Sequence, residues 1–148
     1  MFGLFKKKPK VLPNFNYLEN YSNRDKYFVR TLQWDWLNET MIHLFDNKSP
    51  RMITMDEWPQ QIYLDANGQK TIAEYILWMA NQFRSGQMPE NLDKDMIEMI
   101  EGLIEDGEMI KLKDEKTKLP YYLDKPKSKQ DIDKAYSLMI QDGYIKEK

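Results

Sequence analysis

The side chains that most often perform catalysis are sparse in this sequence. It has no cysteine and one histidine, His43, so thiolate nucleophiles and thiolate metal sites are excluded. No Gly-x-Ser-x-Gly elbow, Walker-type phosphate loop or dinucleotide fingerprint is present. His43 lies in the apolar run TMIHLF, where a lone histidine is ordinarily packed or solvated. We therefore expect a non-catalytic protein that holds no metal and no cofactor.

A cluster of carboxylates is the other feature with chemical potential. Its spacing is helical and does not match the loop ligands of an EF-hand. We interpret it as the solvated face of a helix that begins near Leu92 and ends at Gly107. A helix with this charge repels phosphates, which argues against its binding in a DNA groove. The acidic residues are Asp93, Asp95, Glu98, Glu101, Glu105 and Asp106, beside Lys94, and the apolar face carries Met96, Ile97, Ile100, Leu103 and Ile104.

Composition limits the class of protein. At 148 residues the chain is long enough for one domain whose core needs no disulfide or metal. Net charge is −2, but residues 51–124 carry 8 basic and 15 acidic side chains, whereas residues 1–50 carry 8 and 5. No apolar run reaches membrane-spanning length, and MFGLFKKKPK has too few apolar residues for a signal peptide. We expect a cytoplasmic protein without a transmembrane segment.

Residues 1–20 are predicted to form an extended basic arm, because they show no helical or alternating period. Its lysines stand beside Phe2 and Phe5, a combination that can touch an anionic membrane or nucleic acid. A solubilised, frayed terminus is the interpretation that we favour. The lysines are Lys6, Lys7, Lys8 and Lys10.

Residues 21–148 are predicted to form a single winged-helix-like domain. Its first part is ambiguous, because residues 25–37 fit both an amphipathic helix and an alternating strand. The runs Thr40–Phe45 and Arg51–Met55 flank the turn-forming DNKSP and predict a β-hairpin. A short helix is expected from about Asp56, after a Thr54-x-x-Glu57 capping signal, to a stop at Gly68.

The second part of the domain is predicted to be mainly helical. Thr71 and Glu74 form a capping box that opens a helix to about Arg84, apolar nearly all round. After the acidic helix, the runs EMIKL and LPYYL flank a polar turn and predict a second hairpin, the wing. A last helix is expected over 128–141. Its predicted buried residues are Ile132, Tyr136, Met139 and Ile140.

The pattern NG-x-x-T-x-x-E-Y-I followed by an amphipathic helix ending in LIEDGEMI resembles the winged-helix-like domains of the PqqD type, over about residues 40–112. The hairpin and short helix before this pattern also resemble that family, whereas the predicted second hairpin and C-terminal helix depart from it. The predicted elements together make an α+β fold, mainly helical, with two β-hairpins. The resemblance implies a module that binds peptides in peptide-modification systems, by adding a strand beside a sheet edge and packing on a nearby helix. The pattern is carried by Asn67, Gly68, Thr71, Glu74, Tyr75 and Ile76.

Two binding hypotheses follow. In the first, a protein or peptide of basic character docks on the edge strand near Met52 or against the central and acidic helices. Its candidate contacts are Ile53, Met55, Trp58, Trp78 and Met99, although each taken singly is more simply a core residue. In the alternative, the domain is a DNA-binding transcriptional regulator that uses the wing, the C-terminal helix and the basic arm. Its candidate phosphate contacts are Lys111, Lys113, Lys116, Lys118, Lys127 and Lys129.

Overall fold

The protein, described by a computed structural model over residues 14–46, 51–84 and 86–147, combines short helices with two small antiparallel sheets. This confirms the α+β class. Residues 1–13, which include most of the predicted basic arm, lie outside the described residues. In the part of the chain that is described, no helix has the length and apolar character needed to cross a bilayer.

Residues 25–37 form strands. β1 (Tyr27–Arg30) and β2 (Gln33–Trp36) are separated by Thr31 and Leu32, and each enters a different sheet. β1 is the central strand of the first sheet, with β5 (Asn67–Thr71) on one side and β6 (Ile110–Lys113) on the other. Of the two conformations that the sequence allowed, the strand is the one formed. In β1 it is stabilised by backbone hydrogen bonds along both edges.

The second sheet contains the hairpin predicted before the short helix. β3 (Ile42–Asp46) pairs with β2 on one side and with β4 (Arg51–Ile53) on the other. The predicted turn between β3 and β4 lies largely outside the described residues. Because directly opposite residues share a face, Trp34, Leu44 and Ile53 point to the same side of this sheet.

Six α-helices and one 3-10 turn complete the described residues. In chain order the helices are α1 (Asn16–Glu19), α2 (Glu57–Asp65), α3 (Ile72–Ala80), α4 (Leu92–Glu105), α5 (Tyr121–Asp124) and α6 (Ile132–Gln141), with the 3-10 turn Lys127–Lys129 before α6. α3 follows β5 without a loop, because Thr71 both ends the strand and caps the helix.

Two apolar clusters hold the described residues together. The larger one joins α2, α3 and α4 to both sheets through side chains such as Leu44, Tyr63 and Ile76. The predicted apolar face of α4 is confirmed, since Met96, Ile97, Ile100 and Leu103 are buried and Ile104 is partly buried. The smaller cluster joins β1 to the C-terminal helices and consists of Val29, Leu119, Tyr122, Leu123, Ala135 and Met139.

The predicted second hairpin is wrong. EMIKL contributes β6, but LPYYL forms helix α5, and β6 pairs with β1 instead. The helix is favoured because Leu119, Tyr122 and Leu123 follow an i, i+3, i+4 spacing, which places all three in the smaller cluster. With 41% helix and 19% strand, the fold does not confirm a mainly helical or winged-helix domain.

The predicted buried face of the last helix is also only partly right. Ile132 is 81% exposed and Tyr136 is 43% exposed, whereas Met139 is buried. The helix turns Ala135 and Met139 inward, one turn apart, and the small Ala135 side chain permits close approach to the smaller cluster. The 3.6-residue period was correct, but the phase depended on the packing partner.

The capping box of α3 forms as predicted, since Thr71 Oγ1 accepts from the Glu74 backbone and Glu74 Oε1 accepts from the Thr71 backbone. The Thr54 cap does not form, because Asp56 is the N-cap of α2 and makes no side-chain capping bond.

We expect Thr71→Ala to lower the free energy of unfolding by about 1 kcal/mol. The exposed Thr54→Ala is the matched control, with an expected change within about 0.5 kcal/mol.

Urea unfolding at constant m-value compares the two variants. Equal midpoints for the two variants would contradict the assigned caps.

The bonds from Thr71 hold the pKa of Glu74 below its usual range. Because a lowered carboxyl pKa stabilises the fold only above the pKa of the unfolded chain, the difference between Glu74→Gln and the parent should shrink as pH falls through these values.

Candidate functional site

An open apolar groove of about 450 Å³ lies along helix α4. Leu92 and Met96 are buried at its base, and Met99, one turn further on, is half-buried. These three residues follow a helical stripe, so the regular rise of α4 aligns them. The full lining is Trp58, Pro89, Leu92, Asp95, Met96, Glu98 and Met99.

Trp58 forms the wall opposite α4. It lies in the first turn of α2 and is 38% exposed. Its ring stacks on Phe83, with centroids 6.1 Å apart and an interplanar angle of 15°. The stack holds one face of the indole and leaves the remaining surface toward the groove, a geometry that presents a large apolar contact with little conformational entropy left to lose.

Carboxylates line the groove beside its apolar base. Asp95 and Glu98 are exposed. Lys94 lies 3.8 Å from Glu98 with both side chains about half exposed, at an i, i+4 spacing. Exposed pairs of this kind are weak, about 0.3–0.5 kcal/mol, so Glu98 can exchange Lys94 for another cation. The groove therefore offers apolar contact together with negative charge.

One acidic residue differs from the predicted solvated face. Asp93 is only 7% exposed, and its Oδ2 accepts a 3.0 Å hydrogen bond from the Leu18 backbone N–H. This bond ties α1 to the first turn of α4. Asp93 therefore has a structural contact that its sequence position did not reveal, because its partner lies 75 residues away.

Of the residues predicted for partner binding, Trp58 and Met99 meet in the groove, whereas Ile53 and Met55 do not line it. Ile53 and Met55 are half-buried and pack on the larger cluster, as does Met99. Among the described residues, β4 pairs only with β3, which leaves its other edge without a strand. Met52, 58% exposed, lies on that edge strand.

Trp78 lies outside the groove lining. It is 40% exposed, stacks on Tyr75 at 5.9 Å and 18°, and has Lys70 Nζ 5.1 Å above its ring. Tyr75 donates a 2.7 Å hydrogen bond to Asp65, and burial raises the pKa of Tyr75. Trp78 is thus a separate exposed aromatic residue with its own intramolecular contacts.

The lysines of the DNA-binding alternative are dispersed over one strand, the 3-10 turn and a connection. Lys111 and Lys113 lie on β6 of the first sheet. Lys127 lies beside the second sheet, with Nζ 4.5 Å above the ring of Phe45. Lys116, Lys118 and Lys129 are exposed in the connections that follow β6 and α5. The predicted wing that would have joined Lys111 and Lys113 to Lys116 and Lys118 lacks its second strand.

Three residue types of a hydrolytic triad do meet near the second sheet, but with different bonds. Asp35 and His43 are directly opposite each other on β2 and β3. Ser128 donates its hydroxyl to Asp35 at 3.0 Å and its backbone N–H to the same carboxylate at 2.9 Å. In a hydrolytic triad the hydroxyl of the nucleophile bonds to the general base, which would be His43. Here the Ser128 hydroxyl bonds to Asp35, and the two bonds from Ser128 hold the 3-10 turn against β2. Across the described residues, no three His, Asp or Glu side chains form a group able to hold a metal ion.

A second, more polar pocket of about 670 Å³ lies on the other side of the first turn of α4. Residues of α1 and its flanks line it, including Asn14, the first described residue. Burial raises the pKa of Tyr21 in its wall. The two pockets meet at residues 89–94, where α1 and the N-terminal end of α4 pack together.

Sequence reasoning missed part of the groove. Pro89 and Leu92 were not predicted to contribute to a site, and Met96 was assigned only to the apolar face of the helix, although Met96 and Met99 stand at the i, i+3 spacing of one helical stripe. That spacing was the available signal, but the identity of the opposite wall, Trp58 on Phe83, depends on tertiary packing. Comparison of the chain with protein-family models, with curated proteins and with solved structures finds no match.

Proposed function

We propose that this protein is a non-catalytic module that binds a peptide segment carrying both apolar and basic side chains, and that the groove on α4 receives it. The observation that supports this most strongly is the meeting of Trp58 and Met99 with Asp95 and Glu98 in one open groove. Tryptophan and methionine provide large, adaptable apolar contacts. The carboxylates favour a basic over an acidic partner.

The free edge of β4 supplies a second element of the proposal. A peptide that pairs with this edge would satisfy backbone N–H and C=O groups, and its alternate side chains would point toward the protein. The resemblance to PqqD-type domains supports this mode, since that family is expected to bind peptides beside a sheet edge and on a nearby helix. Backbone pairing gives affinity with little sequence preference, so the groove would select the side chains.

Binding should be tested with peptides selected from a random displayed library on the immobilised full chain, followed by fluorescence anisotropy of the labelled peptides. We expect enrichment of apolar and Lys or Arg residues. Trp58→Ala should weaken binding at least about tenfold, because interface tryptophans commonly contribute more than about 1.4 kcal/mol. Trp78→Ala, of equal chemistry and similar exposure but outside the groove, is the matched control and should change affinity less than about twofold.

Equal losses in the two tryptophan variants, or selected peptides without basic residues, would contradict the assigned groove. The same protein titrated with a labelled mixed-sequence DNA duplex tests the alternative function. Tight binding with a steep salt dependence would favour a DNA-binding regulator.

The charge on the rim gives a separate prediction. We expect Asp95→Asn with Glu98→Gln to weaken a selected basic peptide about threefold to tenfold at low salt, and much less at 1 M salt, where the screening length falls to about 3 Å. Both side chains are exposed, so the folded structure should be unaffected. The control pair Glu105→Gln with Asp106→Asn removes the same charge from the far end of α4 and should change affinity less. If both pairs act equally at low salt, the effect is one of net charge and the rim has no special part.

A further inference from the structure

We propose that residues 2–10 of this chain bind in the groove on α4 and compete there with an external partner. The proposal rests on the proposed function, because it names a segment of the chain itself as a ligand of the same groove. It follows from three properties: the composition of the segment, the charge beside the groove, and the place where the described chain begins.

The segment has the composition that the groove selects. Its sequence, FGLFKKKPK, places three large apolar residues directly before four lysines. The groove places Trp58 and Met99 beside Asp95 and Glu98. Apolar side chains on one part of the segment and ammonium groups on the next therefore match both parts of the groove.

The described chain starts close to the groove. Asn14 lines the polar pocket with Glu90 and Asn91, while Pro89 and Leu92 line the groove on the other side of the same turn. The hydrogen bond from Leu18 N–H to Asp93 fixes α1 against this turn. The segment is thus tethered at the N-terminal end of the helix that carries the groove.

The tether is long enough. The stretch from Phe2 to Pro13 spans at most about 40 Å when extended, whereas α4, with 14 residues, is about 21 Å long. A short tether gives an effective concentration on the order of 1 mM. A segment with an intrinsic dissociation constant of about 0.1 mM would then be bound most of the time, and it would weaken an external peptide about tenfold.

Paramagnetic relaxation in the full chain tests the proposal directly. Because the chain has no cysteine, Gly3→Cys gives one site for a nitroxide label. The methyl groups of Met96 and Met99 and the indole N–H of Trp58 report on the groove, and the methyl of Met139 in the smaller cluster serves as reference. At low salt we expect the label to remove most of the intensity of the groove signals and to leave the Met139 signal unchanged.

A matched variant separates binding from tethering. Replacing Lys6, Lys7, Lys8 and Lys10 by glutamine keeps the length of the tether and removes its charge. We expect this variant to restore most of the intensity of the groove signals and to strengthen binding of a selected external peptide about tenfold. Equal attenuation with and without the lysines, or none in either chain, would overturn the proposal.

The two proposals fail in distinguishable ways. If selected peptides require Trp58 but the label leaves the groove signals unchanged, the groove binds peptides and the segment is not its occupant. If no external peptide binds even the glutamine variant while attenuation depends on the lysines, the segment occupies the groove and the proposed function falls. An adverse result in both experiments rejects both proposals.

Discussion

Replacing Gly68 by alanine should lower the free energy of unfolding by about 3 kcal/mol or more, the largest effect that we expect from a single methyl group in this protein. Gly68 has φ +77°, in the left-handed region. A Cβ at this position would lie 2.1 Å from the Thr117 carbonyl oxygen and 2.8 Å from Val29 Cγ1. The first clash is with backbone, so it cannot be relieved by a change of side-chain rotamer.

Gly68 allows two strands and a connection to pass within contact distance. Its own carbonyl accepts a 2.9 Å hydrogen bond from Thr117 N–H. An alanine that pushed Thr117 away would break this bond and loosen the connection between β6 and α5. From the sequence, Gly68 was predicted to stop a helix. The structure places it inside β5, where close approach of two backbones requires glycine.

Gly143→Ala is the matched control. Gly143 has φ +73°, but a Cβ there would meet no atom within 4 Å. Its cost is that of left-handed strain alone, about 1 kcal/mol. Urea unfolding of both variants isolates the effect of the Thr117 contact as the difference between them. If Gly68→Ala loses no more stability than Gly143→Ala, the close approach at Thr117 is not present in the folded protein.

Arg30→Met is expected to have the second large effect, a loss of about 3 kcal/mol in the free energy of unfolding. Arg30 is 5% exposed at the end of β1. Its guanidinium donates to the backbone carbonyls of Leu64 at 2.9 Å, Leu123 at 2.8 Å and Asp124 at 3.0 Å. Burial lowers the pKa of the guanidinium, but an arginine remains charged. The Leu64 and Asp124 carbonyls lose this donor, and each lost hydrogen bond to a charged group costs about 1.5 kcal/mol or more, whereas the Leu123 carbonyl keeps its bond from Trp34.

These bonds connect the two apolar clusters. Leu64 belongs to α2, which packs in the larger cluster, and Leu123 belongs to α5 in the smaller one. Trp34, whose ring centre lies 5.6 Å from the guanidinium carbon, also donates to the Leu123 carbonyl at 3.0 Å. Methionine retains most of the apolar stem of arginine but cannot replace the planar fork of donors.

Arg24→Met is the control for Arg30→Met. Arg24 is exposed and donates to the Glu19 carbonyl at 2.9 Å, so we expect a change within about 0.5 kcal/mol. Chemical unfolding followed by tryptophan fluorescence measures both variants. Lysine at position 30 should remain at least about 1 kcal/mol less stable than the parent, because one ammonium group cannot reach three separated carbonyls. A parent-like midpoint for Arg30→Met would show that the clusters do not depend on this residue.

The candidate groove shares its base with the protein core. Its base belongs to the larger cluster, because Leu92 and Met96 are core residues of α4. Its wall depends on the Trp58 and Phe83 stack, and its rim on exposed carboxylates. The rim substitutions should therefore alter binding without altering stability, whereas substitutions at the base should alter both.

Features that depend only on neighbouring residues could be predicted from the sequence. The α4 stripe of Met96, Ile97, Ile100 and Leu103, the Thr71 capping box and the first hairpin were all predicted, because a helical period, a cap and a turn are local properties. Trp58 and Met99 were likewise named as candidate partner contacts from their residue types, although each taken singly was more simply a core residue. The α+β class followed from these elements.

Features that depend on distant partners arise only from packing of the whole fold. LPYYL became a helix because the smaller cluster could bury Leu119, Tyr122 and Leu123 together. Residues 67–71 became a strand because β1 offered them an edge, and Asp93 became buried because Leu18 lies against it. The meeting of Trp58 with Met99 has the same origin. The apolar spacing of a short segment is often compatible with more than one conformation. Burial against a distant partner then selects one of them, so such contacts depend on the packing of the whole chain.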